Sequence, residues 1–143
     1  MPGFLGRYEF QIDEKGRVSL PSAYRKAAPG DSFVLLQWKH THLDLYPQET
    51  WASVQAKLLD FRRAQPEGGA YFRRIISNAV EVEPDKQGRI RVPGWLRTSA
   101  GLESQVLLIG AVDRVELWSP ERFQSELDAG SAEYGHFAPQ IFG

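Results

Sequence analysis

A chain of 143 residues, 42% of them hydrophobic, is long enough to bury a core, and it has no unbroken apolar run of membrane-spanning length. The absence of cysteine excludes a disulfide framework and a thiolate metal site, and permits a reducing cytosol. A formal net charge of −1 does not mark a nucleic-acid binder, since single-domain DNA-binding proteins are commonly basic overall, so any charge that matters must be local.

The N-terminus, Met1-Pro-Gly-Phe-Leu-Gly-Arg7, lacks a basic segment followed by a long apolar stretch, so a cytoplasmic location is expected. Tyr8 to Ile12 and Arg17 to Leu20 alternate apolar and polar residues, which predicts two strands of a hairpin with one face buried. Asp13 suits the first position of a type I turn, and Gly16 the left-handed position that follows it. Pro21 then falls at an expected first helical position, and the helix runs to a glycine stop. Two more strands are expected around Phe33 to Gln37 and Leu43 to Tyr46. From Pro47 to Ala64, the spacing of Trp51, Val54, Leu58 and Phe61 predicts an amphipathic helix.

Gln65 to Gly69 reads as a linker, and Tyr71, Phe72, Ile75, Ile76 and Ala79 keep helical spacing after it. The order of elements then starts again. Asp85-Lys-Gln-Gly-Arg89 repeats the Asp-x-x-Gly-Arg pattern of Asp13-Glu-Lys-Gly-Arg17 at a constant offset of 72 residues. The same offset relates Pro21 to Pro93, Arg25 to Arg97, Val34-Leu35-Leu36 to Val106-Leu107-Leu108, and Trp51 to Phe123. Strands are expected around Gln105 to Gly110 and Val115 to Trp118, then a last helix capped by Ser119 and closed by Gly130. The chain therefore reads as a duplicated β-β-α-β-β-α module: residues 1–64, a linker at 65–69, a second repeat at 70–130, and a loose tail at 131–143.

Charge follows the repeats. Residues 13–26 carry a net +2, residues 85–98 a net +3 and residues 113–133 a net −4, so positive charge gathers on the repeated motifs. Paired basic hairpins suit a two-sided, repetitive partner such as double-stranded DNA.

The two Asp-x-x-Gly-Arg hairpins, together with Leu45-Tyr46-Pro47…Trp51 and Pro93…Leu96-Arg97…Ala100-Gly-Leu102, closely resemble the bacterial MraZ family over residues 4 to about 127. The resemblance implies an α+β, mainly β fold: a pseudo-twofold, AbrB-like double swapped-hairpin barrel with packing helices, assembling into homo-oligomeric rings. It also implies a nucleoid-associated transcriptional regulator, expected to be a repressor, that binds short repeats upstream of the division and cell-wall gene cluster. DNA contact carries over to Arg17 and Arg89 and their hairpins.

Arginine offers a planar fork that holds a phosphate or the O6/N7 edge of guanine bidentately. Arg17 and Arg89 are thus the expected contacts, joined by Lys15 and Lys86 at the tips and by Arg91 two positions along the strand. Asp13, Gly16, Asp85 and Gly88 are assigned to shaping the turns. The tips differ, because Lys15 corresponds to Gln87 and Lys86 to Glu14. Arg25 and Arg97 are read as the polar outer face of their helices.

His40-Thr-His42 would place two imidazoles on one strand face, half of a metal site, but two ligands do not close one, and both are read as surface. Trp38, Trp51, Trp95 and Trp118 are read as core or subunit interface. No cofactor, metal, membrane or small-molecule substrate is expected. No catalytic residue is expected either, since no nucleophile–base pair or carboxylate pair has recognisable spacing. The alternative to a regulator is an antitoxin-like or scaffold interaction module of the same fold.

Overall fold

The computed structural model describes residues 3–28 and 30–143. Met1, Pro2 and Pro29 lie outside it, and the reading of the extreme N-terminus rests partly on the first two. The first repeat comprises β1 (Arg7–Gln11), β2 (Arg17–Ser19), α1 (Ser22–Ala27), β3 (Phe33–Leu36), β4 (His42–Pro47) and α2 (Gln48–Ala64). A short 3-10 turn, Pro66–Gly68, leads into α3 (Gly69–Asn78). The second repeat comprises β5 (Val80–Val82), β6 (Arg89–Arg91), α4 (Gly94–Ala100), β7 (Gln105–Gly110), β8 (Val115–Trp118) and α5 (Pro120–Gly130). Another 3-10 turn, Ser131–Glu133, precedes α6 (Tyr134–Phe142). The duplicated α+β, mainly β order read from the sequence is the order observed.

The expected hairpin pairing needs correction. The turn forms as read, with the Gly16 N–H donating to the Asp13 carbonyl at 2.9 Å, but β1 and β2 then part. β1 pairs antiparallel with β7, while β2 pairs with β6 of the other repeat. One repeat's hairpin alone would cover only its own face; the exchange sets Val18 opposite Ile90, both fully buried, so that each repeat closes the other's core. The result is a six-stranded sheet in the order β1-β7-β8-β4-β3-β5 and a two-stranded ribbon, β2-β6. That palindromic order is the signature of a pseudo-twofold axis running between β4 and β8.

The main core lies between one face of the large sheet and the ribbon with its flanking helices. Leu35, Leu43, Leu45, Val106, Leu108, Val115 and Leu117 meet Val18, Ile90, Tyr24 and Leu96 there. A smaller cluster on the opposite face gathers Val34, Leu36, Tyr46 and Ile75 under Trp51 and Val54 of α2. Alternation along the strands explains both: β4 sends Leu43 and Leu45 to one side and His42, Asp44 and Tyr46 to the other.

Smaller readings also shift. Pro21 and Pro93 sit one residue before their helices in extended conformation, and their carbonyls accept the N–H groups of Tyr24 and Arg25, and of Leu96 and Arg97. Gly101 ends α4 in the left-handed conformation, whereas α1 ends at Ala27 and Gly30 turns the chain only later. Residues 131–143, read as a loose tail, form a 3-10 turn and α6. Tyr134, Phe137, Ala138 and Ile141 keep helical spacing, which Gly135 and Pro139 disguise in the sequence. Among the described residues, no helix is long and apolar enough to cross a membrane.

Candidate functional site

Each Asp-x-x-Gly-Arg turn is wired by its aspartate. Asp13 Oδ1 accepts the backbone N–H groups of Lys15 (3.0 Å) and Arg17 (2.8 Å), and Oδ2 accepts Arg17 Nε at 2.7 Å. Asp85 does the same with Gln87 (2.9 Å), Arg89 (2.9 Å) and Arg89 Nε (3.0 Å). The backbone N–H of the arginine, and then its guanidinium, hold each carboxyl below the ordinary carboxylate range, so both stay ionised. The glycines take up positive φ, 82° at Gly16 and 75° at Gly88, where a Cβ would be strained.

This wiring sets the direction of the arginines. Each aspartate bonds only Nε, which leaves the two Nη groups, among the described residues, as a planar fork open to a further acceptor. In the ribbon, Arg17 lies directly opposite Arg91, and Ser19 directly opposite Arg89. Val18 and Ile90 fill the inner face, so the outer face presents three arginines and one serine. Like charges placed opposite each other weaken a strand pair. A surface that keeps Arg17 against Arg91 departs from what stability alone favours, and such departures mark functional surfaces. Lys15 and Lys86 stand exposed at the two tips, so all five basic residues expected from the sequence belong to this one end of the molecule.

The sequence reading missed the part played by Arg25 and Arg97. The guanidinium of Arg25 lies over Gly88, the turn glycine of the other repeat, and Arg25 Nε donates to the Leu20 carbonyl at 3.2 Å. Arg97 lies beside Gly16, farther from it than the Val92 carbonyl, with Nη1 3.4 Å from the Glu14 carbonyl. Backbone bonds reinforce the exchange: Leu20 N–H to Gly88 at 2.8 Å and Val92 N–H to Gly16 at 2.7 Å. Each tip is thus clamped by its neighbour. The signal was legible, since both arginines share the 72-residue offset of the motifs.

A second polar group lies on the opposite face of the large sheet. The register of β4 with β8 places Asp44 directly opposite Glu116 and His42 opposite Trp118. His42, read as surface, is only 6% exposed, and its ring stacks on Trp118 at 4.4 Å between centroids. His40 lies in the preceding turn and is exposed, so the two imidazoles do not share a face. Burial opposes charge on His42, but the carboxylates of Asp44 and Glu116 outweigh it and raise its pKa to about 9. Trp118 is buried, Trp51 half-buried, and Trp38 and Trp95 are substantially exposed.

Exchanged turns, a palindromic sheet and one basic end define an AbrB-like swapped-hairpin protein that carries both copies in a single chain. A family model described as "MraZ protein, putative antitoxin-like" matches residues 4–71 and 75–134. A protein of Heliobacterium modesticaldum is 40% identical over 140 residues, covering 96% of each chain. One of Thermomicrobium roseum is 37% identical over 138 residues, and one of Alkaliphilus metalliredigens 36% over 138, each again with 96% of both chains covered. All three are named "Transcriptional regulator MraZ". The chain belongs to the MraZ family.

Proposed function

We propose that the chain is a DNA-binding transcriptional regulator, not an enzyme, and that the outer face of the β2-β6 ribbon is its contact surface. The observation that supports this most is the ribbon itself: Arg17, Arg89 and Arg91 on one face, with two of the three forks held outward by aspartates. Phosphates on either side of a groove accept such forks, and a fork reaching the groove floor can read guanine. Lys15 and Lys86 add phosphate contacts at the two tips. Asp13 and Asp85 act through the arginines they orient.

One subunit makes few phosphate contacts and binds weakly. A ring of subunits engages several short repeats at once and gains affinity through effective concentration. Repression follows where those repeats overlap a promoter, as expected upstream of the division and cell-wall gene cluster. The protein works in the cytoplasm, associated with the nucleoid. The test is binding of the purified chain to duplex DNA from upstream of its own gene, against scrambled DNA at the same salt, beside an Arg17→Ala/Arg89→Ala variant checked for folding. Binding by the native chain alone, and only to the upstream duplex, supports the reading. Equal binding of both proteins to both duplexes, or no binding by either, overturns it in favour of an antitoxin-like or scaffold module.

A further inference from the structure

The polar group across the sheet axis has a geometry that the proposed DNA contact does not use. Three side chains there each have one polar atom tied and one left over. Asp44 Oδ2 accepts Trp38 Nε1 at 2.6 Å and the Tyr46 hydroxyl at 2.8 Å. Glu116 Oε1 accepts Trp118 Nε1 at 2.9 Å. His42 Nδ1 is bonded to the Thr41 hydroxyl at 2.7 Å. The remaining atoms, Asp44 Oδ1, Glu116 Oε2 and His42 Nε2, converge within 4.8 Å of one another.

Nε2 lies 3.2 Å from Asp44 Oδ1 and 3.4 Å from Glu116 Oε2. Yet among the described residues neither Nε2 nor Oδ1 makes an aligned hydrogen bond, although His42 is 6% and Asp44 1% exposed. Buried polar atoms without aligned partners are uncommon and call for an explanation. In a tetrahedral centre with bonds of about 2.0–2.1 Å, neighbouring ligand atoms stand roughly 3.3–3.4 Å apart. The two nitrogen–oxygen distances match such an edge, and the two carboxylate oxygens stand within 4.8 Å of each other.

We propose that His42 Nε2, Asp44 Oδ1 and Glu116 Oε2 form a binding site for a zinc-type divalent cation. The donor set favours this class: Mg2+ and Ca2+ take oxygen ligands in larger shells, whereas one imidazole with two carboxylates suits Zn2+ or Co2+. Thr41, Trp38, Tyr46 and Trp118 supply the outer contacts that orient such ligands. Glu116, 24% exposed at its side chain, is the side from which an ion enters and where water completes the fourth position. Because Asp44 and Glu116 face each other across β4 and β8, the ion joins the two repeats at their pseudo-twofold axis.

The test uses the full-length chain, stripped with chelator and then titrated with Zn2+ by equilibrium dialysis and with Co2+ by visible absorption. Native protein is expected to bind one ion per chain, to show tetrahedral Co2+ bands, and to melt at higher temperature with Zn2+. Glu116→Gln keeps the side chain's shape, and His42→Gln removes the nitrogen ligand; each is expected to weaken binding at least ~10-fold and to lose the melting shift, with circular dichroism unchanged. Should His42→Gln fail to fold, the partly exposed Glu116→Gln decides alone. Absence of Zn2+ binding by the native chain would leave His42 as an imidazolium held between two carboxylates and overturn the proposal. Undiminished binding by Glu116→Gln would do the same.

Discussion

The two ends of the pseudo-twofold axis treat the duplication differently. At the ribbon the equivalent residues remain largely alike: Asp13 and Asp85 make matching bonds to Arg17 and Arg89, Gly16 and Gly88 share a positive φ, and Arg25 and Arg97 each reach across to the other repeat's tip. At the sheet centre they diverge: His42 corresponds to Arg114, Tyr46 to Trp118, and Asp44 to Glu116. A surface used twice needs two equal copies. A point on the axis occurs once, and strict symmetry would set two carboxylates side by side with identical cations around them. Opposed like charges weaken a strand pair, so the asymmetric pair His42 and Arg114 supplies the counter-charge in two different ways. Arg114 gives a fixed charge 3.5 Å from Asp44, and His42 gives one that depends on its proton.

The sharpest break in that comparison is expected between Asp44 and Glu116. Asp44 is 1% exposed and serves Trp38, Tyr46, Arg114 and His42 together. Asp44→Ala strips the counter-charge from buried partners and is expected to destabilise by about 3–5 kcal/mol. Glu116→Gln keeps shape at a half-open site and is expected to cost about 1 kcal/mol or less. Chemical denaturation of both variants measures the difference. Equal losses would mean that the two carboxylates are interchangeable.

The turns should show a smaller asymmetry. A Cβ on Gly16 collides with the backbone carbonyl of Val92, which cannot swing away. A Cβ on Gly88 meets the guanidinium of Arg25 at 2.9 Å, the far end of a side chain that can. Both alanines adopt a left-handed conformation, with strain of about 1–3 kcal/mol. Gly16→Ala is therefore expected near or above the top of that range and Gly88→Ala near the bottom, as read from denaturation midpoints.

Why one of these regions was legible in the sequence and the other was not follows from how each is built. Asp13 to Arg17 is a local circuit in which the aspartate bonds residues two and four ahead, so a five-residue pattern contains it. Repetition at a constant offset gave the module order and, with the family resemblance, the exchanged fold. Pairing was beyond local pattern: β1 with β7 and β2 with β6 are joined by a core that neither repeat has alone. The axis cluster was hidden for the same reason. Sequence spacing pairs His42 with His40 two residues away, while its partners in the fold are Asp44 next but one and Glu116 in the other repeat, brought close only by the β4-β8 register. The acidic residues at equivalent positions, set within apolar strands, were the available hint.

The ribbon itself can be made more or less symmetric. Arg17→Ala and Arg89→Ala remove equivalent forks, and each is expected to weaken DNA binding about tenfold or more. Ser19 is the place where the first repeat lacks the counterpart of Arg91. Ser19→Arg completes the face, and is expected to raise affinity at low salt and steepen the salt dependence by about 0.9 per phosphate gained. It also sets a second pair of arginines opposite each other, so the melting temperature of the free protein should fall slightly. A gain in affinity without a steeper salt slope would argue that position 19 does not face phosphate.

The smallest expected effect concerns acid. Asp13 and Asp85 have lowered pKa values in the folded chain, so the native state binds fewer protons than the unfolded one around pH 4. Their contribution is complete above the unfolded carboxylate pKa of about 3.9 and is lost as pH falls through the lower folded value. Asp13→Asn and Asp85→Asn remove that dependence while retaining an oxygen for the backbone N–H groups. Native protein should melt above each variant at neutral pH, and the gap should close as the solution is acidified. Because both aspartates make the same bonds, the two gaps should match; a gap for Asp13 alone would place the working ion pair in the first repeat, where Arg17 Nε lies closer to its carboxylate, at 2.7 Å against 3.0 Å.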